Sequence, residues 1–340
     1  MNAAFLHGIG DIRISQIPVP QPQEDEVLLK IRAVGICGSD LHCYVDGGTD
    51  GSAWGAPLIL GHEIAAEVVD DAGAAAGLAA GCLVAVDPGR SCGKCELCRR
   101  GHANLCPDVR FSGSPPDTHG GLCEYIAAPV ANLYPVPDGF SAADTAILEL
   151  LGVALHTMDL AALRADETVA VLGAGPFGLL LIQLSRHLGA ASVFAVDPLQ
   201  YRCAAAGECG ADEVATSHES VAEWTDGRGV DVVLEATNSA DAMQHAAQSV
   251  RIGGRMILAG IPSSDVVSIS ASLIRRKGLT AKAVRRMAPG VYPRAIELVN
   301  SGAIDLQRLA THTFSLQQTA EAFELQANQR DSVIKSIIAM

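Results

Sequence analysis

Three glycines, Gly173, Gly175 and Gly178, constrain the fold of this chain more than any other feature because of what flanks them. The apolar run over 169–172 reads as a short buried strand, and residues 177–188 have the length and spacing of a helix. A G-x-G-x-x-G turn between a strand and a helix is a dinucleotide-binding βα unit. The first glycine permits the tight turn, the second lets the backbone approach a pyrophosphate, and the third allows close helix–sheet packing. Pro176 and Phe177 complete the loop, and the helix start adds N–H donors and the positive end of a dipole. A glycine-rich turn without a ligand is the bland alternative, and the flanking strand and helix weigh against it.

The alternation continues along the chain. Strands are expected over 192–196, 230–234 and 255–259, with helices over 202–209 and 240–250 between them, which predicts a doubly wound parallel sheet of the Rossmann type. Asp197 ends the strand after the glycine turn. A carboxylate there accepts hydrogen bonds from ribose hydroxyls and repels a 2′-phosphate, so the expected cofactor is NAD rather than NADP. Arg202 lies close enough to stack on the adenine or to soften that repulsion. The first third of the chain has β composition instead, including 27–34 and 67–69, and helical spacing begins near Ser141 and Asp144. Beyond about 284 the texture is mixed, with helices over 292–300 and 316–326 and a final strand over 333–338. An α/β chain of two domains follows: a β-rich one over 1–148 and 285–340, and the Rossmann one over 149–284.

Within the β-rich part, Cys92, Cys95, Cys98 and Cys106 are spaced C-x2-C-x2-C-x7-C. Four thiolates in one short loop can close a tetrahedral sphere around Zn2+ with no position left for water, so this lobe, about 90–108, reads as structural rather than catalytic. Disulfides and an iron–sulfur cluster are the competing readings. The first residues lack the basic and apolar regions of a signal peptide, which disfavours disulfides, whereas Pro107 after Cys106 is a small point for iron–sulfur. Ten cysteines with no signal peptide point to a reducing, cytoplasmic setting. A net charge of −14 argues against nucleic acid and anionic membrane as partners, and no apolar run is long enough to span a bilayer.

A second constellation is less conspicuous. Cys37, Ser39 and His42 lie in one short segment, and His62 and Glu63 in another. An open catalytic zinc site needs three protein ligands and a free position; Cys37 and His62 supply two, and Glu63 or Glu149 the third. Both glutamates stand in apolar sequence, where an unpaired carboxylate is costly.

These four motifs, in this order and across essentially the whole chain, resemble the zinc-dependent medium-chain dehydrogenases of the alcohol dehydrogenase superfamily. Within it the chain is most similar to the sorbitol (polyol) dehydrogenases, on the strength of Arg110, Phe111, Pro115, Pro116, Asp117, Gly121, Cys123, residues 146–149 and the pair Val284 and Arg285. The resemblance implies a GroES-like β-rich catalytic domain beside the Rossmann domain. It also implies two zinc ions per chain, and catalytic zinc on Cys37, His62 and Glu63 with Glu149 reaching it directly or through water. Ser39 and His42 match the family's proton relay, and Tyr44, Phe111, Glu149 and Arg285 the substrate positions.

The implied activity is reversible oxidation of a secondary hydroxyl of a small polyhydroxylated alcohol (sorbitol, xylitol or galactitol-like) to the ketose. L-Threonine or a simple secondary alcohol is the alternative substrate, and a homo-oligomer, tetramer before dimer, the expected assembly. The chain departs from the pattern at Cys43, where an aromatic residue is common, and at Leu150, where proline is usual. Ala66 and Cys82 replace a glycine and an aspartate. The first two bear on substrate identity, the last two on backbone and packing.

Overall fold

The computed structural model describes residues 1–48, 57–71, 73, 77–114 and 118–340. Pro115, Pro116 and Asp117 of the polyol-dehydrogenase pattern therefore lie outside the described residues. Two compact units divide the chain: Met1–Gly152 with Ala288–Met340, and Val153–Met287. The expected limits at 148 and 285 differ by a few residues because the helix Ala142–Ala161 runs through the first boundary without a change of composition. Its start is fixed by Ser141, whose Oγ accepts from the Asp144 N–H at 3.0 Å and donates to Asp144 Oδ2 at 2.6 Å.

The second unit is a six-stranded sheet in the spatial order Glu213–Ala215, Ser192–Val196, Thr168–Leu172, Val230–Glu235, Val250–Leu258 and Thr280–Ala283. Every pairing is parallel, so the order reverses at Thr168–Leu172, as in a Rossmann fold. Residues 169–172 are all buried, which explains why this central strand reads as an unbroken apolar run rather than as alternation. Two strands escaped the sequence pattern. Glu213–Ala215 has only three residues, and Thr280–Ala283 is exposed throughout. Val250–Leu258 begins earlier than its composition suggests, because Gly253 and Gly254 carry it through a register shift against Val230–Glu235.

In the first unit one sheet follows the path Leu133–Pro135, Leu83–Val86, Glu63–Val68, Glu26–Gly35, Lys335–Ala339 and Ala310–Ser315, with Tyr125–Pro129 also paired to Glu26–Gly35. Asp11–Gln16, Asn2–Gly8 and Leu58–Ile59 form a second, smaller sheet. Leu29, Ile31, Val34, Ile64, Val84 and Ile338 pack in the core between these layers.

Register places the site. Gly35 pairs with Glu63 on one side and with Ile337 on the other. Cys37, two residues past Gly35, and His62, one before Glu63, therefore leave adjacent strand ends together. The position opposite Glu63 tolerates no side chain: a Cβ on Gly35 would run into the Glu63 carboxylate and come within 2.9 Å of Lys335 Cε. Gly35→Ala should lower stability by about 1–3 kcal/mol in urea unfolding. Gly207→Ala, at an exposed position in the last turn of the helix Gln200–Glu208 where a Cβ meets nothing, should raise it by about 0.4–1 kcal/mol.

Candidate active site and cofactor sites

Cys37 is the N-cap of the helix Gly38–Asp46, and its backbone N–H donates to Asp40 Oδ2 at 3.0 Å. Asp40, buried to 2% exposure, reaches back with Oδ1 to the Gly61 N–H at 3.2 Å and stands 3.5 Å from His62 Nδ1. One carboxylate thus ties the two segments that carry Cys37 and His62. Cys37 Sγ, a His62 ring nitrogen and a Glu63 carboxylate oxygen all lie within 4.8 Å of one another, as ligands to a single ion must. Behind them Lys335 Nζ lies 2.7 Å from Glu63 Oε1 and 2.6 Å from Oε2, both side chains fully buried. Lys335 also donates to the Ile36 carbonyl at 3.1 Å, and Gln326 Nε2 to the same oxygen at 3.0 Å. The C-terminal segment therefore pins the residue just before Cys37.

The charge count explains what belongs here. Buried within one small volume are the carboxylates of Asp40, Glu63 and Glu149, with the half-buried Cys37 thiol beside them and Lys335 as counter-cation. The site answers by taking up protons. Burial presses the Glu149 carboxyl up to about 8, and Glu63 and Asp87 add to the rise while His62 and Lys335 oppose it. Burial disfavours a charged His62, yet Asp40 and Cys37 together hold its imidazole well above the ordinary histidine range. Glu63 Oε2, in ionic contact with Nζ, has no hydrogen-bond partner. A thiol, an imidazole and a carboxylate oxygen of this kind, in an anion-rich pocket, form a donor set that fits zinc.

The four-cysteine lobe is a second candidate metal centre. Sγ of Cys92 lies 4.0 Å from that of Cys98, and Sγ of Cys95 4.0 Å from that of Cys106; all four lie within 4.8 Å of one another. These separations exclude disulfides, whose sulfurs are about 2.05 Å apart, and match the roughly 3.8 Å edge of a tetrahedron with 2.3 Å Zn–S bonds. All ten cysteines are free thiols. Backbone N–H groups of Lys94 and Cys95 bring the Cys92 thiol down to about 7, so it is poised for the thiolate form a metal requires.

In the second unit the glycine turn divides its duties. Gly173 has φ +93°, and a Cβ there would sit 2.7 Å from the Ala236 carbonyl oxygen. A Cβ on Gly178 would collide with the Gly173 carbonyl. Both are required by the protein's own backbone. Gly175 is not: the nearest atom to a Cβ there is Arg202 Nη1 at 3.8 Å. Its openness, and a helix Pro176–His187 whose N-terminus has no side-chain cap, leave space and N–H donors for an anion. Phe177 belongs to that first helical turn. Asp197 Oδ2 accepts the Ala174 N–H at 2.9 Å and Oδ1 the Leu199 N–H at 3.0 Å, with Arg202 Nη1 3.7 Å from Oδ2. The carboxylate is thus fixed on the turn it would serve.

The other expected residues are placed unequally. Ser39 and His42 share the helix that begins at Cys37, and the Phe111 ring lies 5.2 Å from that of His62. Tyr44 turns into the core: it is 7% exposed, its ring is 5.3 Å from Phe323, and its hydroxyl donates to Glu324 at 3.4 Å. That placement replaces the expected substrate contact with a packing role. Arg285 is exposed in the second unit. Sequence reasoning missed Asp40 and Lys335. A lysine inside the apolar run over 333–338 was the available sign of the latter; Asp40 resembles an ordinary acidic residue in a first helical turn.

Residues 23–138 match the model of the alcohol dehydrogenase GroES-like domain, and residues 176–301 that of the zinc-binding dehydrogenases. A sorbitol dehydrogenase from Bacillus subtilis (strain 168) is 35% identical over 343 residues, spanning 99% of this chain and 97% of that protein. The chain belongs to the zinc-dependent alcohol dehydrogenase family. Two solved structures agree in fold over the full chain. A protein described as a short chain alcohol dehydrogenase, from Escherichia coli CFT073 and complexed with NADH, has TM-score 0.89 and 28% identity, covering 100% of this chain and 99% of that one. A zinc-binding dehydrogenase from Sinorhizobium meliloti 1021, bound to NADP, has TM-score 0.88 and 29% identity with the same coverage. The protein is thus an oxidoreductase of the zinc-type alcohol dehydrogenases, with zinc and a nicotinamide cofactor. No helix among the described residues is long and apolar enough to cross a membrane.

Two outcomes follow for this zinc-type dehydrogenase. Asp40→Asn should weaken zinc retention at the Cys37 centre about 10–100-fold in a chelator competition, while the four-cysteine lobe keeps its metal. In metal-free protein, Glu149 has a folded pKa near 8 against an unfolded value of 4.5, so its contribution is complete below about 4.5 and lost as pH rises through 8. Urea midpoints of metal-free protein should therefore fall between pH 6 and 8.5, and Glu149→Gln should flatten that slope.

Proposed function

We propose that this enzyme reversibly oxidises a secondary hydroxyl of a small polyol to the corresponding ketose, with NAD as hydride acceptor. The convergence of Cys37, His62 and Glu63 carries this reading, in a chain whose other unit holds a glycine turn with an open Gly175. When bound, zinc on Cys37, His62 and Glu63 supplies Lewis acidity to the substrate hydroxyl, and the nicotinamide supplies a hydride acceptor.

The chain's own residues do the rest. Asp40 orients the His62 ring through Nδ1, and Lys335 steadies the Glu63 carboxylate. Glu149, neutral in the metal-free site, provides a further carboxyl that ionises as positive charge arrives, either as a ligand or through water. Ser39 accepts the substrate proton and His42 carries it toward solvent. Phe111 forms an apolar wall beside His62, and Glu149 is the polar group that this unit offers to a multiply hydroxylated substrate. Asp197 selects NAD, since its carboxylate is held by the Ala174 N–H of the turn and the Leu199 N–H of its own loop and cannot move aside for a 2′-phosphate.

The same reading gives a second, structural zinc on Cys92, Cys95, Cys98 and Cys106. It also gives a cytoplasmic setting for ten free thiols and a homo-oligomer, a tetramer, in solution, which light scattering tests directly.

The decisive assay is NAD and NADP reduction across sugar alcohols, L-threonine and short secondary alcohols. Turnover of sugar alcohols with NAD is expected; a strong preference for threonine sinks the polyol assignment. Asp197→Ser should move the ratio of kcat/KM for NADP over NAD upward by at least about tenfold. Cys37→Ser should abolish turnover but leave one zinc per chain, whereas Cys92→Ser should lose stability first.

A further inference from the structure

The helix Gly38–Asp46 carries one acidic residue that neither the metal site nor the fold explains. Asp46, at its last position, places Oδ2 2.7 Å from His42 Nδ1, four residues earlier and one helical turn away. His42 is 8% exposed, while the Asp46 side chain is 40% exposed. The helix ends immediately afterwards, with Gly47 in the left-handed region at φ +82° and its N–H donating to the His42 carbonyl. The main chain at the helix end and the Asp46 carboxylate therefore both engage His42.

We propose that Asp46 is a positioning residue for His42: it fixes the imidazole in the tautomer that carries its proton on Nδ1. The chemistry is forced by the partner. An ionised carboxylate only accepts, so the 2.7 Å contact requires Nδ1–H as the donor. In the neutral ring Nε2 is then the basic nitrogen. A free imidazole prefers the opposite arrangement, with the proton on Nε2 and its basic lone pair turned toward Asp46. Asp46 thus gives His42 a defined basic atom and a defined ring orientation. This proposal rests on the relay role of His42 in the preceding section, but the tautomer exists with or without substrate.

The test reads the ring directly. Histidine-selective 15N labelling of the zinc-loaded protein, with His42 assigned by its loss in His42→Asn, should show the Nδ1–H tautomer near neutral pH. Asp46→Ala should shift it toward Nε2–H, with kcat for sugar-alcohol oxidation reduced about tenfold and KM within about twofold. Asp46→Asn, whose amide oxygen still accepts from Nδ1–H, should keep the tautomer and recover most of kcat. An Nε2–H tautomer in the unmodified protein overturns the proposal. So does an Asp46→Ala protein that keeps Nδ1–H, or one that loses it with kcat unchanged. Should the unmodified enzyme turn over no sugar alcohol, the polyol reading fails and the nitrogen shifts alone decide the role of Asp46.

Discussion

An excess of buried negative charge governs this molecule. Asp40, Glu63 and Glu149 crowd together beside the Cys37 thiol, and the lysine among them, Lys335, is already committed to Glu63. Removing carboxylates from water is costly unless something repays the desolvation, and a single ammonium does not repay several. Protein alone satisfies the site only by holding protons, on His62 and on Glu149, that ordinary solution conditions would remove. A divalent cation satisfies it without them. The same imbalance that burdens the metal-free fold therefore creates affinity for the ion.

The fold delivers that imbalance through strand register. Gly35 faces Glu63 across one ladder and Ile337 across the next, so segments distant in sequence, 35–37, 61–63 and 335–337, end side by side. Each contributes one element of the site: the thiol, the imidazole with its carboxylate, and the ammonium. A side chain at Gly35 has nowhere to go because the ion pair already occupies the space. Asp40 performs the equivalent task along the other axis, joining the Cys37 helix start to Gly61 and His62.

Legibility of these features in the sequence followed their locality. The strand–glycine–helix turn and the four-cysteine loop are short, contiguous and built from residue types with few other uses. The roles of Gly173 and Gly178 are backbone requirements that any reader of the motif can state. Cys37 and His62 became readable only in combination, because either one alone resembles a packed core residue. Lys335, Asp40 and Asp46 carried little signal, since their importance arises from partners brought close by pairing or by one helical turn. Tyr44 shows the opposite error. A residue two positions after His42 looked like a substrate contact, but helical geometry aims it at Phe323 and Glu324 instead.

Proton release on zinc binding measures the charge imbalance most directly. Calorimetric titration of zinc into protein that keeps metal on its four-cysteine lobe but has none at the Cys37 centre, in buffers of different ionisation enthalpy at pH 7, gives the number of protons displaced. Net release is expected, smaller by about one proton in Glu149→Gln, because that carboxyl enters binding protonated. Zinc binding that displaces no protons, or displaces the same number with and without Glu149, would contradict it.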